Sequence, residues 1–216
     1  MPYSDPLADG PTIQASGQKA LENGMHLSLL FEQIASVRSE LSIPLILMGY
    51  FNQVMQYGEE AFFRKCREVG IDGLILPDLP MEVYQKEYRD MVEAFDLGMS
   101  FLITPQTSPE RIRLADELSR GFIYMVSSAA ITGGRGGISP EQMAYFQRIE
   151  AMQLRNPRLI GFGISDRTSF EMAANHSAGG IVGSAFIRAL QSGTDLEPSI
   201  HDFVNQIRPV SSFSNL

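Results

Sequence analysis

An α/β fold built on parallel strands is what this sequence predicts, from three observations. Short apolar runs recur along the chain, six of them at spacings of roughly 21 to 36 residues. They are apolar throughout rather than alternating, as strands buried on both faces are. Between them lie amphipathic stretches of helical spacing that would cover such a sheet. This rhythm fits an open doubly wound sheet or part of a (β/α)8 barrel, and the spacing alone does not choose.

Taken in order, Pro11 to Asn23 reads as a short helix with proline at its first position, ending at Asn23-Gly24. Leu27 to Leu41 follows as an amphipathic helix, its stripe formed by Leu27, Leu30, Ile34, Val37 and Leu41. Ile43 to Met48 is the first strand, with the polar Asn52 just beyond it. Glu59 to Val69 repeats helical spacing and stops at Gly70, a good C-terminal cap. Gly73 to Leu76 is the second strand, followed by Pro77-Asp78-Leu79-Pro80 and a helix carrying Val83, Tyr84, Tyr88, Met91 and Phe95. Met99 to Ile103 is the third, then Thr104-Pro105-Gln106 and a helix opening at Ser108-Pro109-Glu110. Phe122 to Val126 is the fourth, followed by a glycine-rich loop. Ser139-Pro140-Glu141-Gln142 then opens a helix as a capping box. Leu159-Ile160-Gly161 and Gly180 to Gly183 are the fifth and sixth. One domain spans 1–216, with Val210 to Leu216 a loose tail.

Composition sets outer bounds. A chain of 216 residues with 44% hydrophobic and 19% charged content has the make-up of a soluble globular domain. Its longest apolar stretch, around Ile43 to Phe51, falls well short of the roughly 20 residues that span a bilayer. A net charge of −8 argues against nucleic acid, which requires clustered Lys and Arg. It leaves room for a small phosphate held by backbone amides. Cys66, the single cysteine, fits a reducing cytoplasm and shares a helical face with Phe62 and Val69, so it reads as core. His26, His176 and His201 are scattered and suggest no metal site.

Three stretches carry possible chemistry. Pro2-Tyr3-Ser4-Asp5-Pro6-Leu7-Ala8-Asp9-Gly10-Pro11 sets two carboxylates among prolines, in a segment that cannot be regular helix or strand. Asp5 and Asp9 are turn formers on the plain reading, their side chains bonding nearby backbone amides. Gly161-Phe162-Gly163-Ile164-Ser165 and Gly183-Ser184-Ala185 end the fifth and sixth strands. Each is either tight strand-to-helix packing or a phosphate cradle, with a helix start at Ser184 aiming its amides at an anion. Neither matches a dinucleotide or Walker pattern. Thr132-Gly133-Gly134-Arg135-Gly136-Gly137 is a flexible connector or a lid.

The opening motif, continuing into Thr12-Ile13-Gln14, resembles the signature of the tryptophan synthase α subunit family, and both glycine turns resemble that family's loops. The resemblance covers nearly the whole chain and implies a (β/α)8 TIM barrel lacking its first strand, first helix and second strand, about 50 N-terminal residues of the family. In register, the family's catalytic Glu, followed by an apolar residue and a glycine, would stand three residues ahead of Met1. The expectation is therefore a chain with one of two catalytic carboxylates and an unclosed seam that promotes self-association.

The implied activity is retro-aldol cleavage of indole-3-glycerol phosphate to indole and glyceraldehyde 3-phosphate, a cytoplasmic step of tryptophan biosynthesis. By position in the family, Asp9 is catalytic, facing the indole N–H. Tyr124, Phe162, Ile75 and Ile103 border the indole ring, though the residues alone read as core. Thr132 and Gly133 belong to the lid; Gly163, Gly183 and Ser184 bind phosphate. Asp5, Pro6, Asn52 and Asp78 lie toward the partner β subunit, although Asp78 otherwise reads as a helix cap. No cofactor is expected on this chain, pyridoxal phosphate belonging to the β partner of an α2β2 heterotetramer. The alternatives are a non-catalytic partner that modulates the β subunit and another phosphate-binding barrel such as a sugar-phosphate isomerase.

Overall fold

In the computed structural model, which describes residues 1–6, 9–127, 138–161, 163–193 and 195–208, the chain divides into two compact units. One comprises Met1–Leu102 and Ser108–Ile123, the other Ile103–Thr107 and Tyr124–Leu216.

The first unit starts with two helices, α1 (Pro11–Glu22) and α2 (Leu27–Arg38), and then strand β1 (Ile46–Met48). Pro11 opens α1 as expected, and the His26 ring caps α2 by accepting from Leu29 N at 3.2 Å. The second helix ends three residues before the sequence predicts. Arg38 turns its guanidinium onto the carbonyls of Leu41 and Ile43 and onto Asp72, tying down the exit of the helix. The apolar stripe is not a buried one along its length: Val37 and Leu41 are exposed, and only Phe31 of this helix is fully buried.

Helix α3 (Phe51–Tyr57) follows, and nothing in the sequence reading anticipated it. It runs through Gly58 into α4 (Glu59–Glu68), which Gly70 terminates at φ +80°. Strand β2 (Gly73–Ile75) leads to α5 (Met81–Val83), a π-helical turn at Tyr84–Tyr88 and α6 (Arg89–Ala94), where a single helix was expected. Strand β3 (Gly98–Met99) completes a sheet of order β1-β2-β3, both pairings parallel. Phe31, Tyr57, Phe62 and Phe63 form the aromatic heart of this unit, with ring centroids 5.6 to 6.0 Å apart. Each such pair adds about 0.5–1.5 kcal/mol beyond its buried area. Cys66 is buried beside them and its thiol is pushed up to about 12 by desolvation, which makes it a packing residue.

The third apolar run is not one strand but two. After β3, the amide of Phe101 takes the Ser119 hydroxyl at 3.2 Å instead of a neighbouring strand, and strand β4 (Leu102–Ile103) belongs to a second sheet. The described residues thus hold seven strands rather than six. Helix α7 (Pro109–Leu118) buries Ile112, Ala115 and Leu118 in the first unit.

The second sheet has the order β4-β5-β6-β7, with β5 at Ile123–Val126, β6 at Arg158–Gly161 and β7 at Gly179–Ile181. The last two pair in parallel. Helix α8 (Pro140–Ala151) opens with the predicted capping box between Ser139 and Gln142. Helices α9 (Arg167–Ala174) and α10 (Ser184–Ser192) follow β6 and β7, and α11 (Leu196–Ile207) is a further helix that the sequence reading missed. No described helix is long and apolar enough to cross a membrane. The expected tail at Val210 to Leu216 lies outside the described residues.

Candidate active site

The opening segment is fastened to the first unit by side chains. Asp9 N donates to Pro6 O at 3.0 Å. Gln14, one helical turn into α1, reaches back to donate to Asp9 O at 2.9 Å and Pro6 O at 3.3 Å. The Asp9 carboxylate, half-buried, accepts from the Tyr50 hydroxyl at 3.3 Å. Tyr50 is buried at the C-terminal end of β1, and its ring stacks on Tyr3 at 5.1 Å. Asn52 donates to the Tyr3 hydroxyl at 2.7 Å, and Gln53 to Pro2 O at 2.7 Å.

Asp78 is a helix cap, although not of the helix that follows it. Its two carboxylate oxygens accept from Phe51 N at 2.9 and 3.0 Å, the first amide of α3. Tyr50, the residue at the N-cap, offers no side-chain bond of its own there. The carboxylate thereby satisfies an otherwise orphaned donor and complements the positive end of the helix. Pro6, Asn52 and Asp78 accordingly belong to one stitched region with Asp9, while Asp5 is exposed beside Pro6. Ile75 is buried on β2, its carbonyl taken by Gly49 N.

In the second unit the register Gly161↔Ile181 sets the ends of β6 and β7 side by side. Gly163 and Gly183 each come two residues after that rung, so the two turns leave neighbouring strands at the same end. Gly163 has φ +79°, a left-handed conformation that glycine adopts without strain. Gly183 is the N-cap of α10, and its carbonyl accepts from Phe186 N and Ile187 N. The preceding amides, of Ser184 and Ala185, are first-turn donors of the kind that bind anions. The turn after β6 is pinned from below. Asp166 accepts from Ser169 N and Oγ at 2.8 Å, and Ser165 N donates to Ser169 Oγ at 3.1 Å. These bonds, the backbone one first, hold the Asp166 carboxyl below its usual range.

Tyr124 is buried on β5 against Gly161: a Cβ there would lie within 2.5 Å of its ring carbons. Glycine at 161 is thus what lets the ring lie on the strand. Ile103 is fully buried, its carbonyl accepting from the Tyr145 hydroxyl at 3.2 Å. Phe162, Thr132 and Gly133 lie outside the described residues. Tyr50 and Gln14 were missed as site residues, although a tyrosine ending an apolar strand was the available signal. In the first unit a cavity of about 450 Å³ opens beside Tyr3, His26, Asn52 and Tyr57; Asp9 is not among its lining residues.

Comparison with known proteins gives a consistent result. The family model for the tryptophan synthase alpha chain matches residues 1–212. The tryptophan synthase alpha chain of Flavobacterium johnsoniae is 54% identical over 209 residues, 96% of this chain and 81% of that one. That of Phocaeicola vulgatus is 57% identical over 190 residues, 88% of this chain and 74% of that one. Among solved structures, the tryptophan synthase complex of Pyrococcus furiosus superposes with a TM-score of 0.84 at 30% identity, over 95% of this chain and 83% of that one. A structure from the same organism, bearing on mutual activation of the α2β2 complex, gives 0.86 at 31% identity with the same coverage.

Proposed function

This chain belongs to the tryptophan synthase alpha chain family, and from that premise we propose that it cleaves indole-3-glycerol phosphate to indole and glyceraldehyde 3-phosphate. The family is one of lyases in tryptophan biosynthesis and of TIM barrels. We read residues 1–216 as belonging to one barrel domain of that kind, acting in the cytoplasm.

Retro-aldol cleavage needs a proton delivered to carbon 3 of the indole and a proton removed from the side-chain hydroxyl. It also needs relief of the positive charge forming at the ring nitrogen. We assign the last task to Asp9, a carboxylate that acts electrostatically or by taking the N–H proton. Tyr50 holds its Oδ2 and Gln14 holds its backbone. Phosphate falls to Gly163, Gly183 and Ser184 through backbone amides. Ile75, Ile103, Tyr124 and Phe162 border the indole ring, and Thr132 and Gly133 close over it. No cofactor takes part on this chain. Asp5, Pro6, Asn52 and Asp78 face a β subunit in an α2β2 assembly, as in the P. furiosus complex; pyridoxal phosphate is that partner's. The observation that carries the reading is the pair of glycine turns leaving β6 and β7 at matching register, one of them opening α10.

By motif register the position of the family's acid–base Glu lies three residues ahead of Met1. Such a group is worth ~10² to 10⁴ in rate. Indole release from indole-3-glycerol phosphate, with and without β subunit, is the test. It is run on this chain and on one extended upstream with the family's Glu-apolar-Gly segment. The extended chain should release indole at least ~10²-fold faster. Stimulation of the β subunit with no indole from either chain would replace the enzyme reading by a purely modulatory one.

A further inference from the structure

Ile103–Thr107 belongs to the second unit, although Leu102 before it and Ser108 after it belong to the first. The backbone of this short excursion, at the C-terminal end of β4, is held group by group. Thr104 N donates to Thr107 Oγ1 at 2.9 Å, and Thr104 O accepts from Thr107 N at 3.0 Å, which closes a turn. Pro105 has no N–H to satisfy. The carbonyls on either side of Thr104 are taken by two side chains of α8. The Tyr145 hydroxyl donates to Ile103 O at 3.2 Å, and Arg148 Nη2 donates to Pro105 O at 2.8 Å.

Helix α8 is capped by its own Ser139–Gln142 box and needs neither bond to be a helix. Tyr145 is buried, and burial drives its phenol well above the usual range, so it remains a donor at any working pH. Phenylalanine would fill the same space; only the hydroxyl answers the carbonyl. The Arg148 guanidinium lies over the Tyr145 ring, 5.5 Å from its centroid, so the two act as one grip. Because the peptide joining Ile103 to Thr104 is planar, holding its carbonyl fixes the last backbone rotation of Ile103 and the first of Thr104. The fully buried Ile103 side chain hangs from the same Cα, at the end of the strand where barrel sites lie.

We propose that Tyr145 and Arg148 are positioning residues, which hold the end of β4 through the Ile103 and Pro105 carbonyls and so keep Ile103 in place against the indole ring. The inference rests on the indole-3-glycerol phosphate reading and divides that substrate into two halves. The phosphate turns leave β6 and β7, whereas β4 stands on the far side of the order β4-β5-β6-β7. Loosening the end of β4 should therefore be felt by the ring and not by the phosphate.

The chain contains no tryptophan, so the fluorescence of indole-3-glycerol phosphate reports its binding to the 216 residues without an indole background. Tyr145→Phe and Arg148→Met should each weaken that binding by about threefold to tenfold, the effect of one hydrogen bond, while the Kd of glyceraldehyde 3-phosphate, read by displacement, stays within about twofold. Arg148→Lys keeps a donor for Pro105 O and should bind the substrate more tightly than Arg148→Met. Should Tyr145→Phe fail to fold, the two Arg148 variants carry the test. Equal weakening of both ligands would reduce the pair to general packing, and no weakening of either would leave it without a role; each result overturns the proposal. So would an Arg148→Lys chain no better than Arg148→Met. A native chain that does not bind indole-3-glycerol phosphate would overturn the retro-aldol reading and this inference with it. A native chain that binds, with variants that match it, removes the positioning role alone.

Discussion

The two units prepare for chemistry by different means. In the first, Asp9 sits in an irregular segment and is held by side chains drawn from α1 and the end of β1, Gln14 and Tyr50. In the second, the turns at Gly163 and Gly183 present backbone groups, placed by the strand register and the start of α10, with the Asp166 and Ser169 side chains bracing the first of them. A carboxylate must be aimed, and the residues that aim it can be removed one at a time. A backbone cradle is a property of the fold, and only a change that deforms the fold disturbs it. The first region should therefore lose function without losing stability, and the second should lose both together.

Asp9→Asn tests this most severely. In the chain extended with the upstream Glu, indole release should fall by ~10² to 10⁴, with the urea midpoint almost unmoved. A matching loss of stability would show Asp9 to be a turn former alone. Gly161→Ala is the counterpart: its new methyl runs into Tyr124, and overpacking of this kind costs about 1–3 kcal/mol. Urea denaturation should show that loss alongside weaker substrate binding. Tyr50→Phe removes one hydroxyl, a net effect of about 0.5–1.5 kcal/mol. It should appear in kcat for indole formation more than in KM. The smallest effect belongs to Asp166→Asn. The native carboxyl is held low by its bonds to Ser169, so its contribution is present above the unfolded value of about 3.9 and is lost as pH falls through the folded one. The stability gap between native chain and variant should be open at neutral pH and close in acid.

Local signals made much of this legible in advance. Pro11 at the head of α1, the Ser139–Gln142 box and the glycine ends of helices are written in adjacent residues. So is the α/β rhythm of the sheets. What escaped depends on distant partners. Helix α3 has no cap in its own sequence because Asp78 supplies it from 27 residues away. The third strand breaks because Ser119 takes the amide of Phe101. Tyr50 and Asp9 meet across 41 residues, a pairing that no window of sequence contains.

The cap on α3 also wires distant parts of the first unit together. The Asp78 carboxylate grips the amide of Phe51, and the residue joined to that amide is Tyr50, whose hydroxyl rests on Asp9. Two hydrogen bonds and one peptide link thus form a mechanical relay from the turn after β2 to the Asp9 carboxylate. Whatever tugs on the turn is passed through Phe51 and Tyr50 to the carboxylate for which we propose the catalytic role.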